Sequence, residues 1–138
     1  MPSPFTEFAM RSAALVVVVL ILSASRGAAQ EHTTDTSDQI KKALADKKAI
    51  LIDVREQKEW DEGHLKDAGL APLSKLSAAK KDEFEKLIPK GSIVYLHCKA
   101  GGRCVTAAAI LKKQGYDARP IKDGYEDLLK AGFPKAEK

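Results

Sequence analysis

Cysteine is scarce in this sequence: 138 residues hold two, Cys98 and Cys104. A bond between positions so close together closes a small loop and stabilises a fold little. The pair therefore reads as chemical rather than structural. Aromatic residues are also few, at 6%, and the net charge of +4 is spread over 23 Lys and Arg interspersed with 19 Asp and Glu. A nucleic-acid face needs a concentrated basic patch with stacking aromatics, and neither is present. No group of His, Cys and carboxylate residues has metal-ligand spacing, so neither a metal nor a cofactor is expected. There is no internal repeat and no low-complexity tract. What remains, 44% hydrophobic and 30% charged, is the composition of one globular domain.

The longest apolar run, Ala13 to Leu22, is about ten residues, short for a membrane span. Arg11 precedes it, and Gly27 and Ala29 occupy the small-residue positions of a cleavage site before Gln30. Residues 1–29 are expected to be a signal peptide cleaved after Ala29, giving a periplasmic or secreted protein. The alternative is an uncleaved N-terminal anchor, which also places the domain outside the cytoplasm. Residues 30–35 read as a flexible linker, 36–134 as the domain, and 135–138 as a C-terminal tail.

Within the domain, strands and helices alternate. Thr36 or Ser37 caps a helix to about Lys47, with Ile40, Ala43 and Leu44 on one face. The continuous apolar run Ala49 to Val54 fits a strand buried on both faces of a parallel sheet. Arg55 to Glu62 reads as a short helix anchored by a buried Trp60 and ended by Gly63. A short strand is expected at Ala68 to Ala71. One amphipathic helix from Ser74 or Ser77 then carries Leu76, Phe84, Leu87 and Ile88 to a stop at Pro89-Lys90-Gly91. A central strand at 93–97, a helix to Gln114, a strand at Ala118 to Ile121 and a helix at Tyr125 to Lys130 complete the order. The expected class is α/β: a central parallel sheet with helices on both faces.

The chemistry gathers at Ile93-Val94-Tyr95-Leu96-His97-Cys98-Lys99-Ala100-Gly101-Gly102-Arg103-Cys104. A strand, a glycine-bearing loop and a helix N-terminus in that order form an anion cradle, because loop N–H groups and the helix dipole point at one spot. A cysteine at the first position of such a cradle is held towards its nucleophilic thiolate. Lys99 and Arg103 add positive charge, and Gly101 and Gly102 allow the backbone to curl.

Three stretches across residues 36–134 carry a resemblance to the single-domain rhodaneses, the thiosulfate and sulfane-sulfur transferases. They are Leu51-Ile52-Asp53-Val54-Arg55-Glu56 with Trp60, Gly63-His64-Leu65 and Ala68; Cys98 to Arg103; and Gly124 with Ala131-Gly132-Phe133-Pro134. The sequence departs from the family pattern at Asp67 and Leu70, which serve a turn and strand. It departs again at Cys104, where the family commonly has Ser or Ala. The resemblance implies a rhodanese-like fold with Cys98 as nucleophile and Lys99, Ala100, Gly101, Gly102 and Arg103 binding the substrate anion. Asp53 and Arg55 support the site from the neighbouring strand, and His64 is a turn residue.

The implied reaction moves a sulfane sulfur from an anionic, thiosulfate-like donor to a thiol or cyanide through a Cys98 persulfide. The chain is expected to act as a monomer, with no nucleic acid and, after signal cleavage, no membrane as partner. Three rivals remain. A Cys-dependent phosphatase also sets Cys and Arg on such a cradle, but with five residues between them, where four intervene here. A thiol–disulfide or sulfur-relay protein would use Cys104 as a resolving thiol for Cys98. A non-catalytic binding module would have no need of Cys98 and Arg103.

Overall fold

In the computed structural model, residues 31–138 are described. The expected signal peptide and its cleavage site lie outside them. Six helices and four strands follow in the order α1 (Ser37–Ala45), β1 (Ala49–Asp53), α2 (Gln57–Glu62), β2 (Ala68–Leu70), α3 (Leu73–Ala78), α4 (Phe84–Leu87), β3 (Ile93–His97), α5 (Gly102–Lys113), β4 (Asp117–Pro120) and α6 (Tyr125–Lys130). All strand pairings are parallel, in the order β2-β1-β3-β4.

The apolar strands bury both faces because their side chains alternate between two cores. Ile52, Val54, Val94 and Leu96 point to one core, closed by Leu76, Phe84, Cys104, Ala108 and Leu111 of α3, α4 and α5. Ala49, Leu51 and Tyr95 point to the other, closed by Ile40 of α1 and by Tyr125 and Leu128 of α6. The expected helices on both faces are therefore present. Helix α1 begins on a capping box: the Thr36 hydroxyl accepts from the Gln39 N–H while the Gln39 side chain accepts from the Thr36 N–H.

Three expectations need correction. The single helix expected from Ser74 or Ser77 to Ile88 is two short ones, α3 and α4, because Ala79 is extended. Glu83 then accepts from the Lys80 N–H at 2.8 Å and fixes a turn across the polar residues between them. Trp60 is half-buried rather than a buried anchor; its ring stacks on His64 with centroids 3.6 Å apart. The polar stretch 30–35 is not a free linker over its described part. The Thr33 N–H donates to Pro120 O at 2.7 Å, and Asp35 accepts from the Tyr95 hydroxyl at 2.7 Å and from Arg119 at 2.9 Å.

The strand order sets the position of the site. From β1 the chain crosses to β2 on one side, and β3 lies on the other, so the carboxyl ends of β1 and β3 flank the crevice where ligands bind in such sheets. Asp53 and His97 are paired in register there, and the next residues of each strand carry the polar machinery.

Candidate active site

Cys98 leaves the carboxyl end of β3 and is almost wholly buried, at 1% exposure. Its loop turns back on itself so that the Gly101 N–H donates to Cys98 Sγ at 3.1 Å. The turn requires glycine at Gly101, which sits at φ 92° and where a Cβ would come within 2.6 Å of Lys122 O. It requires glycine a second time at Gly124, whose bare Cα packs on the carbonyl of Lys99; a Cβ would overlap that oxygen. Gly102, expected to share this role, has open space around its missing Cβ and is the first residue of α5. The sequence reading missed Gly124 as a loop residue because it lies beyond β4, although it stood within the C-terminal motif.

The electrostatics of the loop come from closer groups than its cations. The neighbouring Cys104 side chain is the largest influence on Cys98. With the backbone N–H groups of Cys104, Ala100 and Gly101 it outweighs burial and brings the Cys98 pKa down to about 5, which favours the thiolate at neutral pH. The nearness of Cys98, and burial, push the Cys104 thiol far above the ordinary thiol range. The Cys104 thiol donates to Gly101 O at 3.1 Å and to Ile121 O at 3.3 Å. Neither cysteine is in a disulfide.

The flanking cations are placed differently from each other. Lys99 and Ala100 are exposed on the rim of the loop. The Arg103 guanidinium is held in a fork by Glu59, Nη1 to Oε2 and Nη2 to Oε1, both at 2.7 Å. Glu59 is held down to about 2, first by its hydrogen bond from Arg103. Arg103 thus borders the cradle as half of an ion pair, and its hydrogen bonds go to Glu59 rather than to Cys98. Glu59 carried no signal in the sequence, since its partner lies 44 positions away.

Asp53 and Arg55 meet at the end of β1. The Arg55 N–H, Nε and Nη2 all donate to the Asp53 carboxylate at 2.8–3.1 Å, with both residues buried. Nη2 also donates to Gly63 O at 2.8 Å, and the guanidinium lies over the Tyr125 ring at 4.2 Å. This pair braces the chain just beyond β1, and its hydrogen bonds go to each other and to Gly63 O. His64 Nδ1 lies 3.0 Å from Trp60 O, as suits a turn residue. His97 is fully buried 3.7 Å from Asp53, and its two ring nitrogens have no hydrogen-bond partner. Burial pulls its pKa down, so it is neutral. Among the described residues no group of three His, Cys, Asp or Glu is placed to hold a metal ion.

A buried thiolate among inward N–H groups at a helix N-terminus can attack a sulfur or other soft electrophile and stabilise the anion that results. Comparison with known proteins agrees with that chemistry. The chain matches the Rhodanese-like domain family over residues 36–131. It is 34% identical over 84 residues to a Schizosaccharomyces pombe protein provisionally named as a mitochondrial thiosulfate sulfurtransferase, covering 55% of this chain and 59% of that one. It is similar to the solved structure of the human single-domain sulfurtransferase TSTD1, with TM-score 0.56 and 24% identity, over 67% of this chain and 91% of that one. It is likewise similar to a structure titled rhodanese with anions from E. coli, with TM-score 0.53 and 25% identity, over 65% of this chain and 99% of that one. The chain spans less than two thirds of the length of the S. pombe relative.

Proposed function

Because the chain belongs to the rhodanese-like domain family, we propose that it is an exported sulfurtransferase that carries a sulfane sulfur on Cys98. The single observation that carries this reading is the buried Cys98 accepting from the Gly101 N–H just before α5. The thiolate attacks the outer sulfur of a thiosulfate-like donor. The S–S bond of the donor breaks, sulfite leaves with its electron pair, and Cys98 becomes a persulfide. The negative charge then rests on the outer sulfur, where the loop N–H groups stabilise it. A thiol or cyanide attacks that sulfur, and the Cys98 thiolate is the leaving group. A pKa near 5 serves both halves, since the thiolate is present to attack and is a good leaving group.

The test is thiocyanate formation from thiosulfate and cyanide by the purified domain. Activity is expected in the wild type and absent in Cys98→Ser. Hydrolysis of an aryl phosphate without sulfur transfer would instead support the phosphatase. The fork between Arg103 and Glu59 weighs against that rival, because it occupies the guanidinium donors that a phosphate would need.

Cys104 is read as a neighbour that favours the Cys98 thiolate rather than as a resolving thiol, since its own thiol donates to Gly101 O and Ile121 O and is held protonated. Recovery of a Cys98–Cys104 disulfide after thiosulfate treatment would contradict this and favour the relay. Export rests on residues 1–29 and is tested by N-terminal sequencing of the secreted or periplasmic protein, with Gln30 as the expected first residue.

A further inference from the structure

One side chain reaches the Cys98 loop from outside residues 36–131, the stretch that matches the family. It is His32, half-buried, with its Nε2 2.7 Å from Gly101 O. A carbonyl oxygen only accepts, so Nε2 carries the hydrogen and donates, in the neutral ring and the imidazolium alike. The residues that follow fasten His32 in place. The Thr33 N–H donates to Pro120 O at the end of β4, and the Asp35 N–H donates to Thr33 Oγ1 at 3.2 Å. The Asp35 carboxylate accepts from Tyr95 of β3 and Arg119 of β4. A segment expected to be a linker thus delivers one donor to one loop carbonyl.

That carbonyl belongs to the residue of the loop that most needs holding. Gly101 sits at φ 92°, ψ −6°. Glycine visits either sign of φ with similar ease, so its own backbone does not keep it there. Its neighbours do. A Cβ on Gly101 would stand 2.6 Å from Lys122 O and 3.2 Å from His32 Nε2, so both groups close on the bare Cα. Gly101 O accepts from His32 and from the Cys104 thiol, which uses both of its lone pairs. From this conformation the Gly101 N–H donates to Cys98 Sγ at 3.1 Å. Holding the carbonyl side of Gly101 therefore aims its N–H side at the sulfur.

We propose that His32 is a positioning residue of the reaction: its hydrogen bond to Gly101 O locks the loop with the Gly101 N–H facing the reacting sulfur. The inference rests on the sulfurtransferase reading above and extends the site to the segment before α1. His32 acts through Gly101 rather than on the sulfur itself. With the bond in place, the N–H stabilises the thiolate before attack and the outer sulfur of the persulfide after it. Without it, Gly101 samples conformations in which the N–H turns away, and the competent fraction of the protein falls.

The experiment compares His32→Ala and His32→Gln with the wild type, each in the full chain; the Gln amide nitrogen is the conservative replacement for the Nε2 donor. Two readouts are taken: the pH midpoint of Cys98 alkylation by iodoacetamide, and kcat for thiocyanate formation from thiosulfate and cyanide. In His32→Ala the midpoint is expected to rise by about half a pH unit and kcat to fall about fivefold, as for one lost hydrogen bond. His32→Gln is expected to recover most of both losses. An unchanged midpoint or an unchanged kcat in His32→Ala overturns the proposal, and so does a Gln variant as impaired as the Ala variant. Thermal denaturation separates positioning from simple fastening: a residue that only ties the segment down would lower Tm and leave both readouts at their wild-type values. A wild-type protein that forms no thiocyanate would instead count against the sulfurtransferase reading, and the alkylation midpoints of the two variants would still decide the role of His32.

Discussion

At the scale of single residues, the chemistry depends on one thiol being ionised and its neighbour not. Alkylation of Cys98 by iodoacetamide should follow a single ionisation near pH 5, rising with pH as the thiolate forms and level at neutrality. Replacing its neighbour, Cys104→Ala, should move that midpoint upward and leave the fold in place, because the site is small and packed in the apolar core. An unchanged midpoint would mean that the N–H groups alone hold the charge. His97 makes a second prediction with a definite sign. Its pKa is lowered in the folded state, so below its ordinary value of 6.5 the unfolded chain binds a proton that the folded chain refuses. Stability should therefore fall as pH drops below about 6.5, and His97→Leu should flatten that part of the profile. Urea denaturation at a series of pH values measures both.

At the scale of elements, the loop is shaped by two glycines that do not carry the chemistry. Gly101→Ala forces a side chain into left-handed backbone and against Lys122 O, and Gly124→Ala drives a methyl into Lys99 O. Each should cost upwards of about 2 kcal/mol and most of the activity. Gly102→Ala has open space and a helical position, so it should be neutral or stabilising by up to about 1 kcal/mol. Thermal denaturation with thiocyanate assays separates the three.

The same contrast explains what was legible in the sequence. The strands at 49–53 and 93–97 were readable because parallel strands buried on both faces are continuous apolar runs. Helix α1 was readable from its cap and its periodicity. The break between α3 and α4 was not, because it falls at an extended Ala79 followed by the Lys80 N–H to Glu83 hydrogen bond, with no Pro or Gly to mark it. Cys98 could be found from its loop, but the group that ionises it could not. Lys99 and Arg103 looked like the source of positive potential, while the groups that dominate are the Cys104 side chain and the backbone N–H groups. The Arg103–Glu59 fork and the packing of Arg55 over the Tyr125 ring needed the fold, since they join α5 to α2 and α6 to the residues just beyond β1.

At the scale of the whole molecule, the segment before α1 belongs to the site. His32 Nε2 lies 2.7 Å from Gly101 O, so residues 31–35 strap the outside of the loop as well as the edge of β4. A chain beginning at Gln30 keeps every one of these contacts. A chain beginning at Thr36 loses these four hydrogen bonds, two of them accepted by Asp35, and should be less stable by about 2–4 kcal/mol. Comparing the urea midpoints of the two lengths checks this.

The whole account turns on Cys98 holding a sulfur atom. Intact-mass measurement of the purified domain after incubation with thiosulfate tests that most directly. A gain of one sulfur atom, mapped to Cys98, removed by cyanide as thiocyanate and absent from Cys98→Ser, is the predicted result. A wild-type domain that stays at its original mass with thiosulfate and other sulfane donors, or an adduct mapped to Cys104, would contradict it.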